Sequence, residues 1–127
     1  MEYKKSRMNA VTITLQQPVW GDKVSFYRQG EQETKVFGGK YLEKWGMLQE
    51  NGDFHLMVGM GDGKEPESGM VREICATAAK EMKERKIQNF SCDLKPILAL
   101  FGEEALQEAA EVLVLVLYAM ENFSGGE

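Results

Sequence analysis

Few side chains in this sequence are of a type that does chemistry. There is one histidine, His55, and there are two cysteines, Cys75 and Cys92. His55 stands in an apolar stretch without an H-x-H, an H-E-x-x-H or a nearby cysteine, so its neighbourhood lacks the ligand spacing of a metal site. Both cysteines also sit in apolar stretches. Two such thiols are too few for a disulfide-stapled secreted domain and read as small buried hydrophobes. The acidic pairs Glu65/Glu67 and Glu103-Glu104 could be imagined as carboxylate dyads. At helix starts they are more simply charges that complement the helix dipole. No G-x-S-x-G surrounds any serine. The eight methionines are scattered and read as core filler.

The passage Gly59-Met60-Gly61-Asp62-Gly63 has the look of a phosphate loop. A dinucleotide fingerprint needs a third glycine where Lys64 stands. A P-loop needs Ser or Thr after the lysine and a glycine five positions before Gly63; Glu65 and Val58 occupy those places. Glu65 and Glu67 would further repel a phosphate at the start of the following helix. The passage therefore reads as a plain strand-to-helix turn. No catalytic, cofactor-binding or metal-ligating residue is assigned.

Elements that would position these residues follow from periodicity. Val11, Ile13 and Leu15 alternate with polar residues, a half-buried strand that Pro18 ends. A second short alternation runs through Val24 and Phe26 toward Arg28, and Lys35 to Phe37 is a third strand candidate. Tyr41 to Gln49 suits either a strand or a turn of helix. Asn51-Gly52 is a strong turn signal. Phe54 to Met60 is a continuous apolar run of strand length, which suits a strand covered on both faces. A helix is predicted over about Glu67 to Lys86, with Val71, Ile74, Cys75, Ala78 and Met82 on one stripe. Ile87 to Leu94 is the next strand, making a βαβ unit with parallel strands and a right-handed crossover. Lys95-Pro96 is expected to stop it. Glu103 to Phe123 is predicted as a helix buried on more than one side along Val112 to Leu117.

At 127 residues the chain fits one domain, 1–127, with roughly two-thirds of its unfolded surface buried. Hydrophobic residues make 43% and charged residues 28%, a globular balance. The net charge of −5 argues against a nucleic-acid partner, since no cation excess exists to displace counterions. The basic start (Lys4, Lys5, Arg7) lacks the apolar run of a signal peptide. The longest apolar run, Val112 to Met120, is far short of the ~20 residues of a membrane span. The expectation is a cytoplasmic protein with no membrane partner.

Taken in order, VGMGDGKE (Val58 to Glu65), VREICATAAKEMKERK (Val71 to Lys86), IQNFSCDL (Ile87 to Leu94) and AAEVLVLVLYAMENF (Ala109 to Phe123) resemble one family. They are similar to the N-terminal domain of the leucyl aminopeptidases, the cytosol aminopeptidase family. There a strand ending in V-G-L-G leads to an alanine-rich helix and a strand ending in Asp-Leu. A long Ala/Leu helix with an aromatic-rich end follows. Val58-Gly59-Met60-Gly61, Asp93-Leu94 and Leu117-Tyr118 to Phe123 fill those places. The resemblance implies an α/β fold, a macro-domain-like mixed sheet flanked by helices. It also implies a role in assembling a homohexamer, with the chain's own catalytic domain and sister subunits as partners. The family's two divalent metals, zinc or manganese, belong to a separate C-terminal catalytic domain. Its N-T-D-A-E-G-R signature has no counterpart here, and Ser124-Gly125-Gly126-Glu127 falls where the family's linker would begin. The chain alone is then expected to be no enzyme. The alternative is a free-standing macro-like module that binds ADP-ribose or a nucleotide.

Overall fold

The computed structural model describes the backbone of residues 2–4, 10–14, 21–31 and 34–125, and the side chains of 21–31, 34–67 and 69–116. Among the described residues six strands form one mixed sheet: β1 (Glu2–Lys4), β2 (Ala10–Thr14), β3 (Lys23–Tyr27), β4 (Lys44–Leu48), β5 (Phe54–Gly59) and β6 (Asn89–Asp93). Their order across the sheet is β1-β2-β6-β3-β5-β4. The inner strands β2, β6, β3 and β5 run parallel, and β1 and β4 join antiparallel at the edges. Among the same residues three helices complete the single α/β domain: α1 (Ser68–Glu84), α2 (Lys95–Phe101) and α3 (Glu104–Gly125).

The buried run Phe54 to Gly59 becomes β5, and every one of its residues is buried. Residues Phe54, Leu56 and Val58 share the main core with Val24 and Phe26 of β3 and Phe90 and Cys92 of β6. Against that face packs the stripe Val71, Ile74, Cys75, Ala78 and Met82 of α1, all fully buried. The βαβ unit is present as β5–α1–β6 with parallel strands, and β3 lies between the two. Asn51-Gly52 forms the β4–β5 turn: Gly52 takes φ 94°, and the Asp53 amide donates to Asn51 Oδ1 at 2.9 Å.

Four expectations need correction or completion. Lys35 to Phe37 is not a strand; the Thr34 hydroxyl accepts from the Val36 and Phe37 amides at 3.2 and 3.0 Å, a side-chain turn that competes with any ladder. Tyr41 to Gln49 resolves as β4. Strand β1 precedes the alternation that starts the sequence reading. Lys95-Pro96 does end β6, but it also opens α2, because proline in a first helical turn loses no hydrogen bond. The end of the first strand at Pro18 lies outside the described residues.

Helix α3 packs chiefly on α1. Small residues, Ala78 and Ala79 on α1 and Ala105, Ala109 and Ala110 on α3, are buried where the helices sit. Of the apolar run, Val112 and Leu113 are buried while Leu115 is 55% exposed. Burial on more than one side along Val112 to Leu117 is thus not observed as far as Val116, and Leu117 lies outside the described side chains. Among the described residues no helix is long and apolar enough to cross a membrane.

Candidate functional site

The carboxyl ends of β3, β5 and β6 point the same way, so the segments that follow them gather at one end of the sheet. In open α/β sheets that end is where ligands bind. A cleft of about 280 Å³ lies there between Asp62, Lys64, Glu65, Met70 and Leu100. Beside it, sharing Pro66 and Leu100, is a cleft of about 170 Å³ between α1 and the start of α3. Its rim carries Glu67, Glu104 and Glu108, and its floor Val71 and Phe101. Two acidic pairs that are far apart in sequence each send one member, Glu67 and Glu104, to the same rim. Arg72 approaches Glu108 at 3.7 Å and offsets one charge. Lys64 is the cation of the larger cleft.

Four of the amides from Gly59 to Lys64 are engaged by the chain itself. Gly59 N–H donates to Glu43 O at 2.7 Å, Met60 N–H to Tyr27 O at 2.8 Å and Gly61 N–H to Gly39 O at 3.0 Å. Lys64 N–H donates to Asp62 Oδ1 at 3.0 Å. Gly59 is required by this close approach, since a Cβ there would collide with the Lys40 carbonyl. The crossing segment is itself held by Glu43, whose Oε1 accepts from the Gly38 and Lys40 amides at 3.1 and 3.0 Å. Those backbone donors, Lys40 first and Gly38 next, hold the Glu43 carboxyl below its usual range. Tyr41 hydroxyl donates to Glu73 on α1. Burial first, then this carboxylate, pushes the Tyr41 phenol up. Arg28 closes the far side of the loop: its guanidinium reaches the Asp62 carbonyl at 3.3 Å and lies over Gly63. The loop is braced by its own chain.

His55 lies on the sheet face opposite the helices, where its Nε2 is 2.8 Å from the Ser25 hydroxyl. A serine and a histidine at this distance could in principle form a nucleophile and its base. Both are buried, Ser25 at 3% and His55 at 8% exposure, which sets the hydroxyl away from solvent. Burial, reinforced by the Lys23 charge, lowers His55 from 6.5 to about 4, which makes it a weak base near neutrality. The pair is a satisfied buried hydrogen bond between neighbouring strands. Burial pushes Cys75 up to about 12 and Cys92 well above its ordinary value, so neither offers a thiolate. Among the described residues no group of His, Cys, Asp or Glu is arranged to hold a metal ion.

The sequence reading missed Ser25, Arg28, Tyr41 and the floor residues Leu100 and Phe101. Only the last two had a usable signal, proline at the first turn of a helix. The chain matches no protein-family model, no curated protein and no solved structure.

Proposed function

We propose that this chain is the non-catalytic, macro-like N-terminal domain of a cytoplasmic leucyl aminopeptidase, a metal-dependent enzyme that removes N-terminal amino acids from peptides. Its part is in assembly or regulation of the homohexamer, through contacts with its own catalytic domain and sister subunits. The observation that supports this reading is the placement of the resembling motifs on the elements. Val58 to Gly61 closes β5 and opens the braced loop. Val71 to Glu84 forms most of α1, Asp93 ends β6, and the Ala/Leu segment runs along α3.

Among the described residues none are grouped to hold the two divalent metals. His55 is turned to Ser25, the cysteines lie in the core, and the rim carboxylates are not grouped for coordination. In this reading the metals and the hydrolytic chemistry reside wholly on the catalytic half. The isolated 127-residue chain is accordingly expected to release no leucine from leucyl p-nitroanilide, with or without added zinc or manganese. Expression of the complete source reading frame is expected to give an oligomer with metal-dependent activity on that substrate. A reading frame that encodes no catalytic half, or a full-length product inert with both metals, overturns the proposal.

A further inference from the structure

Strand β4 forms one edge of the sheet, and the phase of its pairing decides which backbone groups remain open. Gly59 N–H bonds to Glu43 O, and Gln49 N–H bonds to Asp53 O, both at 2.7 Å. In an antiparallel ladder only alternate residues exchange bonds with a given neighbour. Glu43, Trp45, Met47 and Gln49 therefore face β5, and Lys44, Gly46 and Leu48 turn their N–H and C=O outward. Such edges are usually blunted by charge, proline or a bulge. Here the register with β5 is one-to-one from Lys44 to Leu48, without bulge or proline. The strand's one charged side chain, Lys44, is drawn onto α1 by Glu81 at 2.9 Å. Glu81 is also bonded by Arg85 at 2.7 Å, and Arg85 in turn lies 4.4 Å over the Phe54 ring. What the edge presents instead is Leu48 at 73% exposure, with Trp45 and Met47 near 40%.

We infer that two copies of this chain associate along β4, antiparallel about a two-fold axis at Gly46, so that the sheet continues from one copy into the next. This inference is independent of the aminopeptidase reading. The strand is self-complementary in that register. Lys44 and the partner's Leu48 exchange backbone bonds, as do the two copies of Gly46, and every outward group of the strand is satisfied. On the face opposite the helices, Trp45 stands beside the partner's Met47, an aromatic–thioether pair at the closer cross-strand spacing. The two Lys44 residues stay about 13 Å apart, four residues of strand, and each is paired with Glu81 of its own copy, so like charges do not meet at the axis. Glycine at the axis follows from packing within one copy, because a Cβ on Gly46 would collide with the Phe54 ring. That same absence leaves the helix-side face flat where the copies meet. A five-residue edge is smaller than the ~800 Å² per partner of a stable interface, so the dimer is weak and concentration-dependent.

Sedimentation equilibrium from low micromolar to near-millimolar concentration tests this. The wild-type mass is expected to rise from monomer toward dimer. Leu48→Pro removes an outward N–H that β5 does not use, and Leu48→Lys sets a charge against the partner's Lys44. Each is expected to weaken the dimer at least tenfold while retaining the wild-type circular dichroism. The register is read by mixing Trp45→Cys with Met47→Cys and oxidising, with the mixed disulfide expected in excess over either homodimer. A wild-type chain that stays monomeric throughout, or folded Leu48 variants that dimerise like wild type, overturns the inference. A dimer in which homodimeric disulfides dominate overturns the Gly46 axis.

Discussion

The Ser25–His55 pair shows how surroundings decide what two reactive residue types can do. Removed from water and placed beside Lys23, the imidazole is held neutral down to about pH 4, whereas in the unfolded chain it would take up a proton near 6.5. The folded value is depressed, so between these limits the unfolded state binds more protons than the folded one. Stability from this group is fully present above pH 6.5 and is lost as pH falls toward 4. At 1.36 kcal/mol per unit, the loss between pH 7 and pH 5 is on the order of 2 kcal/mol. His55 is the chain's only histidine, which makes the effect separable. Denaturant unfolding at pH 7 and pH 5 should show that difference in wild type and a much smaller one in His55→Gln. The single set of imidazole proton resonances should titrate near pH 4. A midpoint near 6.5 would show that the ring is solvated and the burial argument mistaken. The sequence placed His55 within an apolar strand, and it is buried there. Its partner Ser25 was not legible, because strand pairing across thirty residues leaves no local mark.

At the scale of elements, legibility followed periodicity. Helix α1 was readable to within a few residues because one face is apolar and the other charged. Strand β5 was readable because nothing polar but His55 interrupts it. Helix α3 was legible as a helix but not in its burial, for a run of alternating valine and leucine has no polar side to orient it. Packing against α1 chooses the orientation, burying Val112 and Leu113 and leaving Leu115 at 55% exposure. The expected consequences differ sharply between neighbours. Leu113→Ala removes a fully buried side chain and should cost about 2–5 kcal/mol. Leu115→Asp places a charge in water, and its cost should stay within about 0.5 kcal/mol. Chemical denaturation of both variants decides the point. A Leu115→Asp protein destabilised as much as Leu113→Ala would mean that this face of α3 is covered.

At the scale of the whole molecule, hydrophobic pattern gave parallel strands and helix order but not the order of strands in the sheet. Nothing in the patterns of β3, β5 and β6 encodes that β3 sits between the other two; that order arises from long-range pairing. The same pairing decides the fate of the glycine loop. Because β3 lies next to β5, Tyr27 can accept from Met60, and the segment after Gly38 can cross to accept from Gly61. A loop that the sequence argues against by motif thus also has its Gly59, Met60 and Gly61 amides engaged by its own chain. Binding a pyrophosphate there would require breaking bonds from Gly59, Met60 and Gly61 that brace the sheet's end. It would also bring the anion toward Asp62, Glu65 and Glu67 in a chain of net charge −5. Of the nearby cations Lys64 and Arg28, Arg28 is already engaged with the Asp62 carbonyl. Titration calorimetry with ADP-ribose, and separately with inorganic pyrophosphate, is therefore expected to give only heats of dilution at micromolar protein. A saturable isotherm with a low-micromolar dissociation constant for ADP-ribose would instead favour the free-standing macro-like module. Persistence of that isotherm in a Lys64→Ala variant would place the ligand elsewhere than this loop.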